Sequence, residues 1–360
     1  MIHIVLGTKA QLIKMAPIMV ELNRQNIPYR FISTGQHRDT MEELLSNFGL
    51  KNPDHVLYSG DDITSIPKMA IWALKIIFKV VTKKRDIFDT RKPGIVLVHG
   101  DTFSTLLGAI MGKIARLKVG HVESGLRSFN WFHPFPEEIT RVAVFKLSDY
   151  YFCPGETPVK NLTHNRGKKI NTGCNTLFDS LRLAEKNINI SDVNVPEIEY
   201  AVISIHRFEN IHSKNSLIKI IECIELISEH IPKILFILHK PTEKNLKKFG
   251  LYEKIIAIKN IELRQRYDYF KFIKLLKHSE FVVSDGGSNQ EECAYLGKPT
   301  LLLRKATERE EGIGKNCVIC EYKYSKIRNF CKTYKAITTT PTHTSLQPSK
   351  LIVSNITDFR

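Results

Sequence analysis

Phe281-Val-Val-Ser284, Asp285-Gly286-Gly287-Ser288-Asn289 and Gln290-Glu-Glu-Cys-Ala-Tyr-Leu296-Gly297 follow one another without a break. The first piece is apolar and β-branched, which predicts a buried strand. The third predicts the opening turns of a helix over Gln290–Leu296, with Gly297 placed to end it. Between them, two glycines and small polar residues stand at a strand-to-helix junction. There backbone N–H groups can crowd a ligand, and the helix N-terminus behind them favours negative charge. A phosphate or diphosphate suits such a junction. The competing reading is a plain structural turn, since Gly-rich turns are common in α/β proteins.

The same strand–turn–helix unit recurs on both sides of this stretch. Ile2–Leu6 predicts a strand closed by a phosphate-friendly turn, Gly7-Thr8-Lys9, and a helix from Leu12 to Leu22. Further short buried strands are expected at Tyr29–Thr34, Ile95–Val98, Lys118–Val122 and Asp149–Cys153. Later ones are expected at Ala201–Ile205, Ile234–Leu238 and Thr300–Leu303. Open parallel sheets bind ligands outside the carboxyl ends of their strands. Asp101, Glu123, His206, His239 and Asp285 all fall just past such ends, split between the two halves. The expected fold is therefore α/β, with two Rossmann-like domains facing across a cleft. We expect an N-terminal domain at 1–174 carrying the carboxylates and a C-terminal domain at 175–345 carrying the Gly-rich loop. A tail at 346–360 is expected to pack back on the first, and the crossing is placed near Gly173–Asp179. Tyr334–Pro348, rich in Thr, Ser and Pro, reads as a loosely packed arm.

With 360 residues, 42% apolar and 25% charged, the composition is that of a globular enzyme-like chain. The net charge of +16 invites a nucleic-acid partner. The basic residues are dispersed, however, and no recognition-helix, zinc-finger or RNA-binding aromatic pattern is present, so a small anionic substrate is the expected partner and nucleic acid is not. Met1-Ile-His-Ile-Val-Leu-Gly7 enters a strand pattern with no leader-like segment ahead of it, and a cytoplasmic protein is expected. The seven cysteines read as reduced thiols, and Cys317-Val-Ile-Cys320 as buried or idle ones rather than a zinc or redox pair. No spacing typical of a metal site appears, and no cofactor is called for. A helix opened by Ser65 and Pro67 carries Lys68, Lys75, Lys79 and Lys83 in one sector of its wheel. That stripe suits an anionic membrane surface, but a packed helix with one solvated edge is the expectation, with no membrane insertion.

The first half supplies the carboxylates Asp101, Glu123, Glu137 and Glu138; the second supplies the Gly-rich loop, His206 and Arg207. Acids facing a site for an anion make sense if they move protons while His206, basic groups and backbone amides hold a leaving phosphate. Each acid also has a bland reading. Asp101 could cap the helix that follows, and Glu137 beside Pro136 could simply favour a helix N-terminus.

Taken in order, these pieces resemble the UDP-N-acetylglucosamine 2-epimerase family of the bacterial non-hydrolysing type. The resemblance rests on Gly7-Thr8 with Ile13-Lys14-Met15-Ala16-Pro17, Gly35-Gln36-His37-Arg38, His99-Gly100-Asp101-Thr102 and Gly120-His121-Val122-Glu123-Ser-Gly-Leu-Arg127. It continues through Pro136-Glu137-Glu138, His206-Arg207 with Glu209-Asn210, Asp285-Gly286-Gly287 and Gln290-Glu291-Glu292. It closes with Leu296-Gly297-Lys298-Pro299 and Thr307-Glu308-Arg309. What it implies is a glycosyltransferase-B-like arrangement with the 175–345 domain as the UDP-binding one and acid/base carboxylates on the 1–174 domain, a homodimer, and inversion at C2 of the amino sugar without a redox cofactor. The family's acid/base carboxylates match Asp101, Glu123 and Glu137. His206 and Gly286-Gly287-Ser288 match the phosphate contacts, Glu292 the carboxylate on the ribose hydroxyls, and Phe272 the aromatic on uracil. Lys9, Lys14, Arg141, His239 and Arg309 are carried over as further substrate contacts.

Several motifs depart from the family. Its usual Gly-Thr-Arg-Pro-Glu is Gly7-Thr8-Lys9-Ala10-Gln11 here, its His-Arg-Arg-Glu-Asn is His206-Arg207-Phe208-Glu209-Asn210, and its Asp-Ser-Gly-Gly-Ile is Asp285-Gly286-Gly287-Ser288-Asn289. Asp62-Ile-Thr-Ser-Ile-Pro67 stands where many members carry a Gly-Gln pair of an allosteric substrate site. The alternatives left open are a hydrolysing 2-epimerase, an epimerase of a related UDP-diacetamido or uronic-acid sugar, a glycosyltransferase on the same scaffold, and a UDP-sugar-binding protein without catalysis.

Overall fold

The structure, a computed structural model, describes every residue except 37–40, 61–65, 91–92, 132–135, 189–191, 308, 343–344 and 360. The expected helix start at Ser65, most of the 62–67 region, His37, Arg38, Pro134 and Glu308 therefore lie outside the described residues. Two compact units form: Met1–Leu183 with Ser345–Arg360, and Ala184–Thr344.

The first unit contains β1 (Ile2–Leu6), β2 (Tyr29–Ser33), β3 (His55–Val56), β4 (Ile95–His99), β5 (Lys118–Val122), β6 (Tyr150–Cys153) and β7 (Lys168–Asn171). They form a parallel sheet in the order β3-β2-β1-β4-β5-β6-β7. The second unit contains β8 (Tyr200–Ser204), β9 (Lys233–Leu238), β10 (Ile261–Gln265), β11 (Phe281–Ser284), β12 (Thr300–Leu302) and β13 (Cys317–Ile319). Their order is β10-β9-β8-β11-β12-β13, again parallel throughout. Central strands such as Ile2–Leu6 and Ile95–His99 are buried along their whole length, as continuous apolar runs covered on both faces must be. Two Rossmann-like α/β domains are thus present, as expected.

Sheet order reverses between β1 and β4 in the first unit and between β8 and β11 in the second. Ligands of doubly wound sheets bind at such switch points, outside the carboxyl ends of the strands. The loops leaving those strands begin at Gly7, Gly100, Ile205 and Asp285. Pairing Ser284 with Ser204 brings the two strand ends of the second unit level, so the His206 and Asp285 loops emerge side by side.

Two helix starts differ from the sequence expectation. The first helix spans Lys9–Arg24, not Leu12–Leu22, because Thr8 and Gln11 form a reciprocal capping box. Gln11 Oε1 accepts from the N–H groups of Gly7 and Thr8 at 2.9 and 3.2 Å. Those two amides are therefore taken up inside the turn that had read as phosphate-friendly. The helix after β11 spans Gly287–Leu296, three residues earlier than its apolar pattern indicated, with Gly286 as its N-cap and no side-chain cap. Gly297 ends it in the left-handed conformation at φ 69°, where an added Cβ would meet the Thr339 carbonyl oxygen at 2.1 Å.

The C-terminal helix Pro348–Ser354 belongs to the first unit and packs on the Lys9–Arg24 helix through buried Ile352 and Val353. The Ser349 N–H donates to Asp179 Oδ2 at 2.8 Å. Helix Leu177–Lys186 begins inside the first unit, where the Ser180 hydroxyl donates to the Ile13 carbonyl at 2.6 Å. All seven cysteines are free thiols. Cys317 and Cys320 are both buried, and burial pushes the Cys317 thiol up to about 12, which keeps it protonated and inert. Among the described residues, no group of three His, Cys, Asp or Glu side chains is disposed to hold a metal ion.

Candidate active site

In the first unit the carboxylates gather past β4 and β5. Glu123, the first residue after β5, holds φ at 61°, a conformation that L side chains other than Asn and Asp seldom adopt. The turn is pinned from behind by His121. Its Nε2 lies 2.8 Å from the Gly100 carbonyl and its Nδ1 2.9 Å from the Ser124 hydroxyl. A carbonyl only accepts, so Nε2 carries the proton and Nδ1 accepts from Ser124. Burial pushes His121 down to about 4, which fixes it as neutral imidazole, and the Ser124 N–H adds a bond to the Phe152 carbonyl. The Glu123 side chain is then met by Lys14, from the buried face of the first helix. Lys14 Nζ stands 2.6 Å from Glu123 Oε2, with side chains only 7% and 5% exposed. His99 Nε2 lies 2.9 Å from the same oxygen, and burial lowers its basicity against the pull of Glu123.

Asp101 does not cap the helix Phe103–Ile114. Thr102 does that, accepting from the Thr105 N–H, and Asp101 Oδ2 instead pairs with Arg141 Nη2 at 2.5 Å. Arg141 projects from the helix Glu137–Leu147, and its Nη1 also reaches Glu138 Oε2 at 3.4 Å. Burial works against the Arg141 charge, but Asp101, Glu123 and Glu138 outweigh it and raise its pKa. Glu138 is fully buried and bound by Arg127 Nε at 2.5 Å and by the Ser128 N–H at 3.0 Å. Those donors hold its carboxyl below the usual range despite burial, so Glu138 is a fixed strut. Glu137, the first residue of the same helix, differs. Among the described residues its Oε2 is buried without a hydrogen-bond partner. The structure thus joins Lys14, His99, Asp101, Glu123, Glu138 and Arg141 in one network, with Glu137 at the head of the helix that carries two of them.

In the second unit the organiser is Asp285. Its fully buried carboxylate accepts from the His206 N–H at 3.0 Å, the Arg207 N–H at 2.9 Å and Asn210 Nδ2 at 2.8 Å. The β8 and β11 loops are thereby tied together. His206 Nδ1 lies 3.4 Å from Asp285 Oδ1, and the ring stacks on His239 at 4.6 Å between centroids. Burial, with the charges of Arg266 and Arg207, keeps His206 below its ordinary pKa against the attraction of Asp285. His239 Nε2 is held by the Ser204 hydroxyl at 3.1 Å.

Gly286 lies close against the His206 ring. A Cβ there would come within 2.8 Å of His206 Cε1 and 3.0 Å of Asn289 Oδ1. Gly287 and Ser288 are the first two helical residues, and the opening amides of a helix have no preceding turn to bond. No side chain caps this start, and helix N-termini of this kind favour negative charge. Glu292 is buried on the same helix and accepts from Asn289 Nδ2 at 3.0 Å, while the Asn289 side-chain oxygen lies 2.9 Å from the Ser284 hydroxyl.

Arg309 is engaged by Glu291 at 2.7 Å, Phe272 is half-buried on the helix Tyr269–His278, and Lys9 is the first residue of its helix. Glu291 belongs to the Gly287–Leu296 helix, so Arg309 is tied to the helix that carries Glu292. The roles of His99, Arg127 and Asp285 as organisers were not assigned from the sequence. Each stands beside a strand end or inside a quoted motif, and only the register shows what it touches.

The chain matches a family described as UDP-N-acetylglucosamine 2-epimerase over residues 20–348. A protein of that name from Methanocaldococcus jannaschii is 34% identical over 91% of this chain and 90% of its own length. Another from Neisseria meningitidis serogroup A is 31% identical over 87% of this chain and 85% of its own. Among solved structures, the UDP-GlcNAc 2-epimerase from Neisseria meningitidis bound to UDP-GlcNAc superposes with a TM-score of 0.84 at 27% identity, covering 99% of both chains. The Methanocaldococcus jannaschii enzyme in complex with UDP-GlcNAc and UDP gives 0.79 at 30% identity, again over 99% of each. The chain belongs to the UDP-N-acetylglucosamine 2-epimerase family.

Proposed function

We propose that the protein interconverts UDP-N-acetylglucosamine and UDP-N-acetylmannosamine without net hydrolysis. The C2 proton of the amino sugar is not adjacent to a carbonyl, so simple enolisation cannot remove it. Elimination can. A carboxylate takes the C2 proton while the C1–O bond to UDP breaks, its electron pair leaving on the diphosphate, and an unsaturated glycal forms. The diphosphate oxygen then adds back to C1 as a proton returns to C2 from the opposite face. Two acid/base groups and a firm hold on UDP are required.

The observation that carries this reading is the contrast among the three first-unit carboxylates. Asp101 is paired with Arg141 and Glu123 with Lys14, whereas among the described residues Glu137 has a buried oxygen without a hydrogen-bond partner. Glu137 is therefore assigned to proton transfer at C2, with Glu123 and Asp101 completing the acid/base set and Lys14 and Arg141 orienting them. His206 and the amides of Gly287 and Ser288 hold the departing diphosphate; neutral His206 gains a proton as that charge arrives. Glu292 takes the ribose hydroxyls and Phe272 the uracil ring. No metal or redox group is needed. We place the enzyme in the cytoplasm, where the seven free thiols stay reduced, acting as a homodimer and supplying a precursor for surface polysaccharide.

Anion-exchange analysis of an incubation with UDP-N-acetylglucosamine tests the outcome. A reversible mixture of two UDP-sugars is expected. Accumulation of UDP with free N-acetylmannosamine would instead establish the hydrolysing reaction.

A further inference from the structure

We propose that Arg266 is a further substrate-binding residue, a guanidinium that grips the diphosphate of the nucleotide from the side opposite the start of the Gly287–Leu296 helix. The inference rests on the assignment of His206 and the Gly287 and Ser288 amides to that diphosphate. Sheet register carries it. Gln265 pairs with Leu238, Phe236 with Ile203, and Ser204 with Ser284. Each pairing, continued by one to three residues past the strand ends, sets Arg266, His239, His206 and Gly286 on one row. Two contacts confirm that the row persists beyond the strands. The His239 and His206 rings stack at 4.6 Å, and a Cβ on Gly286 would come within 2.8 Å of His206 Cε1. Neighbouring strands lie about 5 Å apart, so the Arg266 backbone stands about 10 Å from that of His206, a span that two facing side chains bridge.

The Arg266 charge is felt along this row. Burial is the largest cause that lowers the His206 pKa, and among the cations Arg266 weighs more than Arg207, which follows His206 in the chain. Other arginines of the unit are occupied. Arg207 pairs with Glu209 at 2.7 Å, Arg264 with Glu262 at 2.6 Å and Arg309 with Glu291 at 2.7 Å. Arg266 has no partner among the described residues. It is exposed, yet the surrounding protein still lowers its pKa by desolvation, and no acid offsets that. Its side chain lines a cavity of about 310 Å³ with Asn194, Glu262, Arg264, Gln265 and Tyr267. Glu262 is already shared between Arg264 and Lys233, each at 2.6 Å, so it does not neutralise Arg266. Asp285, beside the other end of the row, is likewise taken up by the His206 and Arg207 amides and by Asn210. What the row offers a ligand is therefore a planar, always-charged fork at one end and helix-opening amides at the other. That combination suits phosphate oxygens, which a guanidinium binds through two parallel hydrogen bonds.

The test is calorimetric titration of the full chain with UDP, followed by displacement of UDP with inorganic pyrophosphate. Arg266→Gln should weaken UDP about tenfold to a hundredfold and weaken pyrophosphate by a similar factor. Arg266→Lys, which keeps the charge without the fork, should fall between Arg266→Gln and the wild type. Arg266 makes no described bond in the fold, so thermal unfolding of both variants should match the wild type. UDP affinity of Arg266→Gln within twofold of the wild type would overturn the proposal. So would a loss of UDP affinity with pyrophosphate unaffected, which would move the contact to the nucleoside, or a wild-type chain from which pyrophosphate does not displace UDP. His206→Asn, titrated in parallel, separates two kinds of failure. Weakening by His206→Asn but not by Arg266→Gln overturns only the role of Arg266; weakening by neither overturns the diphosphate assignment on which it rests.

Discussion

Removing Lys14 tests whether the carboxylate cluster is held by buried charge pairing. In the Lys14→Met chain, Glu123 keeps its place after β5 with a side chain only 5% exposed, and loses the ammonium 2.6 Å from Oε2. Breaking a buried pair by deleting one partner costs about 3–5 kcal/mol, because the surviving charge is left uncompensated. His99 Nε2, 2.9 Å from the same oxygen, retains part of the compensation, so the lower end, about 3 kcal/mol, is expected. For a unit of this size that corresponds to roughly 6–12 °C in Tm. The chain has only two tryptophans, Trp72 and Trp131, and both lie in the first unit. Urea unfolding followed by tryptophan fluorescence therefore reports this unit without interference from the second. Adding Glu123→Gln to Lys14→Met removes the stranded charge and should return about 2 kcal/mol, a coupling that independent sites do not show. A Lys14→Met chain within about 1 kcal/mol of wild type, or a double variant whose losses simply add, would refute buried pairing as the organising force.

Glu137→Gln should lower kcat by about 10²–10⁴-fold while leaving the Kd for UDP within about threefold, by calorimetry; near-normal turnover would remove Glu137 from proton transfer. Gly286→Ala forces a Cβ to 2.8 Å from His206 Cε1, so the imidazole must shift and UDP affinity should drop about tenfold with little change in stability. Acid should destabilise the first unit through His121. Its pKa is near 6.5 unfolded and pushed by burial to about 4 in the fold, so the unfolded chain binds more protons between these values. Stability is complete above about pH 6.5 and falls as pH drops toward 4, by about 3 kcal/mol over the whole window. His121→Gln should flatten that slope in urea titrations at pH 5 and 7.5; an unchanged slope would show that His121 is not the group responsible.

The opening stretch illustrates what local sequence can and cannot specify. Strand, turn and helix around Asp285–Asn289 were legible because β-branched runs and glycines act through local backbone preferences. The helix nevertheless begins at Gly287, since low-propensity glycines at its start are tolerated where Gly286 serves as N-cap. The placement of Asp101, Glu123, His206 and Asp285 past strand ends followed from the alternation of elements. Their partners did not. Lys14 and Glu123 are 109 residues apart, and Asp101 and Arg141 are 40 apart, so which cation meets which acid depends on helix rotation and sheet register. Asp101 kept a plausible local role as a cap until Thr102 was seen to fill it. The Ile66–Ile87 helix was legible as basic and apolar, yet a pattern apolar on both sides does not say which side faces inward.

Proton exchange at C2 tests the proposed chemistry most directly. With wild-type protein and UDP-N-acetylglucosamine in deuterium oxide, proton NMR should show both UDP-sugars, each acquiring deuterium at C2 as equilibrium is approached. Glu137→Gln should slow the appearance of deuterium together with epimerisation. Epimerised product that keeps its original C2 proton, or wild-type protein that exchanges nothing while still binding UDP, would contradict elimination and re-addition as the activity of this site.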